Sequence, residues 1–328
     1  MLRRGWALLV AISCAAVPCA VACSSTPPAQ SPNEPEVDLA GADEAPESPE
    51  FDQGVDAVGK GDFATAHTHF TAVLQDQPKN AKAHFYLGVA AQNLGKNAEA
   101  TLSYEQAVTL DPNLAEAWVN WSALHLDAGE FDKALGIVDR GLTRHRNHAG
   151  LMYNHALSLA GAGKTTEAVV AYRNALAADP GNAEVKYGYA EALVAAGSTD
   201  AALRELEALA QGDKLEVLAS TARLLGRLKQ FDACVATLTK ALGLKALAEL
   251  YVDRGLCQHG KKDDTAAFED FQRAVKADDG YAPAHYYSGM HLKMKGKKVE
   301  ARAALSRTVA IAGDAGVGKA AKRALESL

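Results

Sequence analysis

The chain has 328 residues, 48% of them apolar, and a formal net charge of −6. That length and apolar share allow a large buried core. The negative balance excludes a general nucleic-acid binder, which must neutralise phosphates with excess Lys and Arg. β-branched alternating runs between turn clusters are absent, which argues against a strand-based fold.

Arg3 and Arg4 precede an apolar run from Trp6 to Val17, the order of a secretory signal peptide. A transmembrane anchor is the alternative reading, but the run is short of the ~20 residues a span needs, and Pro18 breaks it. Ala20-Val21-Ala22-Cys23 resembles a bacterial lipobox, with Ala20 where leucine is more common. Cys14 and Cys19 have poorer preceding residues. The expectation is a lipoprotein signal over residues 1–22 and an acylated Cys23; ordinary cleavage leaving Cys23 a thiol is the other outcome. Residues 23–50 read as a disordered acidic linker. From 24 onward they hold six prolines and seven acids with no Lys or Arg, too little apolar surface to fold. Ser48 and Pro49 have the chemistry of a helix cap and first position.

From about residue 51 the sequence repeats. Residues 81–114 give two amphipathic helices. The first, helix A, carries Leu87-Gly88; the turn holds Gly95; the second, helix B, carries Ala100 and Tyr104; Pro112 ends it. Gly88 and Ala100 lack bulk where two helices cross, Tyr104 lies on the face of Ala100, Gly95 suits a turn, and Pro112 cannot continue a helix. Steps of 34 repeat the turn glycine (Gly61, Gly95, Gly129, Gly163, Gly197) and the alanine (Ala66, Ala100, Ala134, Ala168, Ala202). The aromatic slot reads Phe70, Tyr104, Val138, Tyr172, Leu206. The register then slips to Cys234, Ala267 and Ala301, with Lys229 at the sixth turn. Eight repeats start near residues 47, 81, 115, 149, 183, 215, 248 and 282.

This phased order resembles the tetratricopeptide repeat. The resemblance implies an all-α, right-handed α-solenoid of about eight helical hairpins over 51–315. A capping helix is expected over 316–328, where Val317, Ala321, Ala324 and Leu328 share a face. Ala90 is expected nearer a helix rim than Ala100. The poor sixth repeat suggests a weak point at 208–248. Cys234 and Cys257 read as buried small hydrophobes, with a disulfide open in an oxidising compartment.

Other chemistry is weaker. Gly161-Ala162-Gly163-Lys164-Thr165 and Gly313 to Lys319 imitate phosphate loops, but helices rather than strands precede them. His145, His148 and His155 have no Cys or carboxylate cluster beside them. No cofactor, metal, catalytic residue or small-molecule substrate is expected, and the chain is read as a non-enzyme.

Helix A lines the partner-binding concave surface in the tetratricopeptide family. Three residues before its small slot stand Phe51, Phe85, Val119, Tyr153, Tyr187, Ala219, Val252 and Tyr286. One residue after it stand Val55, Val89, Ala123, Leu157, Glu191, Arg223, Leu256 and Met290. The resemblance nominates Phe85, Val89, Tyr153, Leu157, Tyr187 and Glu191 as partner contacts; packing into neighbouring helices is the competing role. The lysine and asparagine of chaperone-tail clamps are missing. Residues 281–328 hold nine bases and three acids, a solvated cap or a site for an anionic partner. The functional expectation is a membrane-anchored envelope scaffold for assembling a secretin or pilus-type or an outer-membrane-barrel-type complex. The expected location is the bacterial envelope; Ser24 after Cys23, with no aspartate there, favours the outer membrane facing the periplasm over the inner membrane. A periplasmic adaptor regulating a cell-wall enzyme is the alternative.

Overall fold

The computed structural model describes residues 48–314 and 316–328. The expected signal, Cys23 and the expected linker up to residue 47 lie outside the described residues. The described residues form seventeen helices and no strand. They fall into two compact units, one ending at Gly163 and the other running Lys164–Leu328.

The first unit holds α1 (Pro49–Gly59), α2 (Phe63–Asp76), α3 (Ala81–Asn93), α4 (Asn97–Leu110), α5 (Ala115–Asp127), α6 (Phe131–Arg144) and α7 (Ala149–Gly161). Odd-numbered helices are the A helices. Ser48 caps α1, accepting from the Phe51 N–H at 3.2 Å, and Pro49 opens it. Asn80 caps α3 in the same way at 2.9 Å. α2 and α4 stop at Asp76 and Leu110, two residues before Pro78 and Pro112. The glycine–aromatic pairing is steric. A methyl added to Gly54 would stand 2.7 Å from Phe70, and one on Gly88 2.6 Å from Tyr104. Where the ring shrinks to Val138, the facing slot is Ser122. Ala90 is fully buried, like Ala100. The rim expectation is therefore wrong: α3 is enclosed by its neighbours on more than the Gly88 side.

The second unit holds α8 (Thr165–Ala178), α9 (Ala183–Ala195), α10 (Thr199–Ala210), α11 (Leu215–Arg227), α12 (Phe231–Leu244), α13 (Ala248–Gly260), α14 (Asp264–Ala277), α15 (Ala282–Met294), α16 (Lys298–Ala312) and α17 (Gly316–Glu326). The volume trade recurs. Phe271 faces Gly255, where a methyl would come within 2.6 Å. Where Leu206 and Leu238 fill the large slot, Ala190 and Ala222 fill the small one. Turn residues take positive φ in every repeat. Six are glycines at 72 to 77°, and two are Lys229 at 60° and Lys262 at 68°.

Repeat six is well packed despite its lost markers. Leu218, Leu224, Leu225, Leu238 and Leu250 are buried in one cluster with Cys234 and Cys257. Those two cysteines form a disulfide joining α12 to α13, with Cα atoms 6.3 Å apart. Gly226 lies against both sulfurs. The weak point expected at 208–248 therefore has no basis in packing. In repeat seven, buried Asp270 receives two 2.7 Å hydrogen bonds from Arg254 and one of 3.0 Å from Arg273.

Candidate protein-binding faces

In the first unit, the nominated A-helix residues remain half-exposed: Phe85, Val89, Tyr153 and Leu157, with Val119 between them in sequence. Phe51, in the same slot of repeat one, is buried against Phe70 and Tyr86. Phe85 meets the core with its ring tilted, 6.2 Å from the Tyr104 ring centre. A polar stitch fixes the rotation of α7. Buried Asn154 donates to the Val119 carbonyl at 3.0 Å and to the Ser122 hydroxyl at 2.8 Å. Tyr153 precedes Asn154, so bonding α7 to α5 sets the direction in which Tyr153 and Leu157 are presented.

The second unit's A helices carry a ladder of charges. Glu191 on α9 accepts from Tyr187 at 3.1 Å and from Arg227 of α11 at 3.2 Å. Arg223 of α11 donates to Asp253 of α13 at 2.7 Å. Burial and the Glu191 charge push the Tyr187 hydroxyl far above its usual range, so it acts as a neutral donor. Asp253 is raised above the usual carboxylate range. Burial is the main cause and Glu249 adds to it, while Arg223 only partly compensates. Burial opposes the Arg223 charge, but Asp253 and Glu249 hold it up. The ladder was only partly legible in sequence: Glu191 and Arg223 mark it, whereas Asp253 and Arg227 sit outside the two slots followed along the chain.

Four slot residues of the second unit are not open. Ala219 and Val252 are buried, and Tyr286 and Met290 pack with Leu305, Ala321 and Ala324 under α17. In the basic end, Lys293 donates to the Ala324 carbonyl at 2.9 Å and Lys298 to the Leu328 carbonyl at 2.9 Å. The histidines of the rejected metal reading do local work. His145 bonds the Pro112 carbonyl at 3.2 Å, and His148 caps α7. Gly161 makes room for Phe131, as its tight contact requires.

Two tetratricopeptide repeat models match, over residues 51–115 and 159–228. The chain is a tetratricopeptide repeat protein. The worm (Caenorhabditis elegans) tetratricopeptide repeat-containing protein trd-1 is 30% identical over 114 residues, 35% of this chain and 15% of the worm protein. The photosystem I assembly protein Ycf3 of Prochlorococcus marinus is 28% identical over 97 residues, 29% of this chain and 56% of Ycf3. The chain thus spans well under two thirds of these curated relatives. Among solved structures, yeast Tom70 matches with a TM-score of 0.60 at 15% identity, covering 90% of this chain and 66% of that one. The Cut9-Hcn1 structure gives 0.51 at 17%, covering 84% and 55%. These likenesses speak to fold. As a repeat protein, the chain is a scaffold for protein–protein interaction.

Proposed function

We propose that this repeat protein is a lipid-anchored envelope scaffold that captures protein segments on its A-helix faces during assembly of an envelope complex. Cys23 carries the anchor; Phe85, Val89, Tyr153 and Leu157 make an apolar contact set, and Tyr187 and Glu191 a polar one. The observation that carries the reading is selective exposure. The same slot is buried at Phe51, Ala219 and Val252 and half-exposed at Phe85, Tyr153 and Tyr187. Large side chains with a polar handle are favoured as interface anchors. The matched relatives include proteins named for assembly and for organising, Ycf3 and a soybean (Glycine max) Hsp70-Hsp90 organizing protein. The lipobox resemblance supports the envelope, and a disulfide suits an oxidising compartment. A secretin or pilus-type assembly and an outer-membrane-barrel assembly are the two forms of the proposal, at an outer membrane facing the periplasm.

Affinity capture of the lipidated chain, followed by mass spectrometry, tests the partner class. Secretin or barrel-assembly components support the scaffold, whereas cell-wall enzymes would replace it with the adaptor reading. Tyr153→Ala and Tyr187→Ala should each weaken the captured partner by at least ~1 kcal/mol with unchanged helical content. Normal affinity in folded variants removes these faces as the site. Mass spectrometry of the mature terminus tests the anchor; an unmodified terminus anywhere but Cys23 ends the lipoprotein reading.

A further inference from the structure

The turn joining α15 to α16 stands apart from the other surfaces. Val299 is 81% exposed, the most exposed large hydrophobic among the described residues, and Met294 across the turn is 58% exposed. Between them run Lys295, Gly296, Lys297 and Lys298. Gly296 takes a φ of 73°, and a methyl added there would meet nothing within 4 Å, so the turn projects into open space. Lys298 is committed to the Leu328 carbonyl. The Lys295 and Lys297 side chains make no hydrogen bond or ion pair among the described residues. The neighbouring turn, between α13 and α14, adds Lys262 at positive φ. The facing acids are few. Asp264 feels Lys295 but is bonded to His259 at 2.7 Å, Asp263 caps α14, Asp232 is paired with Lys261, and Glu300 stands free in the first turn of α16.

We infer that this turn is a second contact with an anionic lipid surface, distinct from the A-helix faces and independent of any acyl anchor. An apolar pair flanked by lysines is built for the headgroup boundary. The apolar side chains reach toward the acyl region while the lysine stems lie along them and the ammonium groups stay at the phosphates. A protein partner fits less well, because interface centres favour aromatic residues and Arg and are depleted in Lys, and the tip has Lys but neither Arg nor an aromatic ring. Charge contrast directs the contact. Residues 281–328 hold nine bases against three acids, while the whole chain carries −6, so an anionic surface attracts this end and repels the rest.

The test uses the full chain carrying Cys23→Ser, so that no acyl chain contributes. Cosedimentation is measured with vesicles of phosphatidylcholine alone and with added phosphatidylglycerol, across a salt series. The inference expects binding only with phosphatidylglycerol, falling as salt rises. Lys295→Glu with Lys297→Glu should weaken it by roughly tenfold or more. Met294→Ser with Val299→Ser should weaken it at every salt concentration and leave the salt dependence in place. Lys245→Glu with Lys276→Glu, an equal reversal of two exposed charges at the far ends of α12 and α14, should change it little. Circular dichroism melts verify that each variant is folded. Failure to bind phosphatidylglycerol vesicles overturns the inference. So does a loss in the Lys245→Glu, Lys276→Glu pair as large as that of the tip pair, which would reduce the effect to net charge.

Discussion

Repeat two and repeat six solve the same packing problem with different residues. Repeat two has every marker: Gly88, Gly95, Ala100, Tyr104 and Pro112. Repeat six has Ala222, Lys229, Cys234 and Leu238 in the first four of those slots, and no stop proline. Both bury their large slot completely. The pairs Gly88–Tyr104 and Ala222–Leu238 show that the helix crossing requires a sum of volumes rather than particular residue types. The faces diverge as well. Repeat two presents Phe85 and Val89, whereas repeat six presents buried Ala219 and the charged Arg223. Core slots and face slots vary independently, so one framework carries an apolar face in the first unit and an ionic one in the second.

The strongest way to break this comparison is to empty both large slots. Tyr104→Ala should cost about 3–5 kcal/mol and Leu238→Ala about 2–5 kcal/mol, read as shifts in denaturant midpoint. A Leu238→Ala cost below ~1 kcal/mol would mean repeat six is loosely packed. Next comes the cross-link that, among the described residues, joins repeats six and seven alone. Its cysteines are 23 residues apart, and the chain-entropy account gives about 3 kcal/mol for closing such a loop. Thermal melts with and without reductant should show that loss in the transition of the second unit and leave the first unchanged.

Ala100→Leu and Ala90→Leu should each cost on the order of 1–3 kcal/mol, since both sites are closed on all sides. A smaller effect separates the turns. Lys229 has a side chain at a φ of 60° where repeat two has Gly95 at 74°. Lys229→Gly should gain up to about 1 kcal/mol and Gly95→Ala should lose about the same.

Much of this was legible before the structure. Positions of α1 through α10 follow from the 34-residue step, the turn glycines and the stop prolines, because each marker answers a local steric demand; α11 through α16 follow from the small-residue slots once the register slips. Ala90 and the sixth repeat misled for a shared reason. A marker reports whether one slot is filled in the family's usual way; burial depends on every neighbour that comes around a helix. The candidate faces were legible as slots but not as chemistry. Asn154, which orients α7, and Asp253, which receives Arg223, lie outside those slots and are connected to them only through the fold.

The smallest effects are in titration, and they have opposite signs in the two units. Asp253 holds its proton more tightly folded than unfolded. Its contribution to stability is therefore complete below the unfolded value of 3.8 and is lost as pH rises through the folded value. Glu99 is the reverse case: burial works against its charge, but the hydrogen bond to His67 and the Lys96 charge win and depress it below 4.5. Its contribution is present above 4.5 and is lost as pH falls through the folded value. Carbon-detected titration of the carboxyl groups should place Asp253 above, and Glu99 below, their unfolded midpoints.

Complementary volumes, rather than family markers, hold repeats two and six together. Native-state amide exchange across α3–α4 and α11–α12 tests it most directly. Protection of α11–α12 should at least equal that of α3–α4, with the amides beside Cys234 and Cys257 among the slowest in the second unit. Fastest exchange between residues 208 and 248 would contradict it and restore the markers as the measure of a sound repeat.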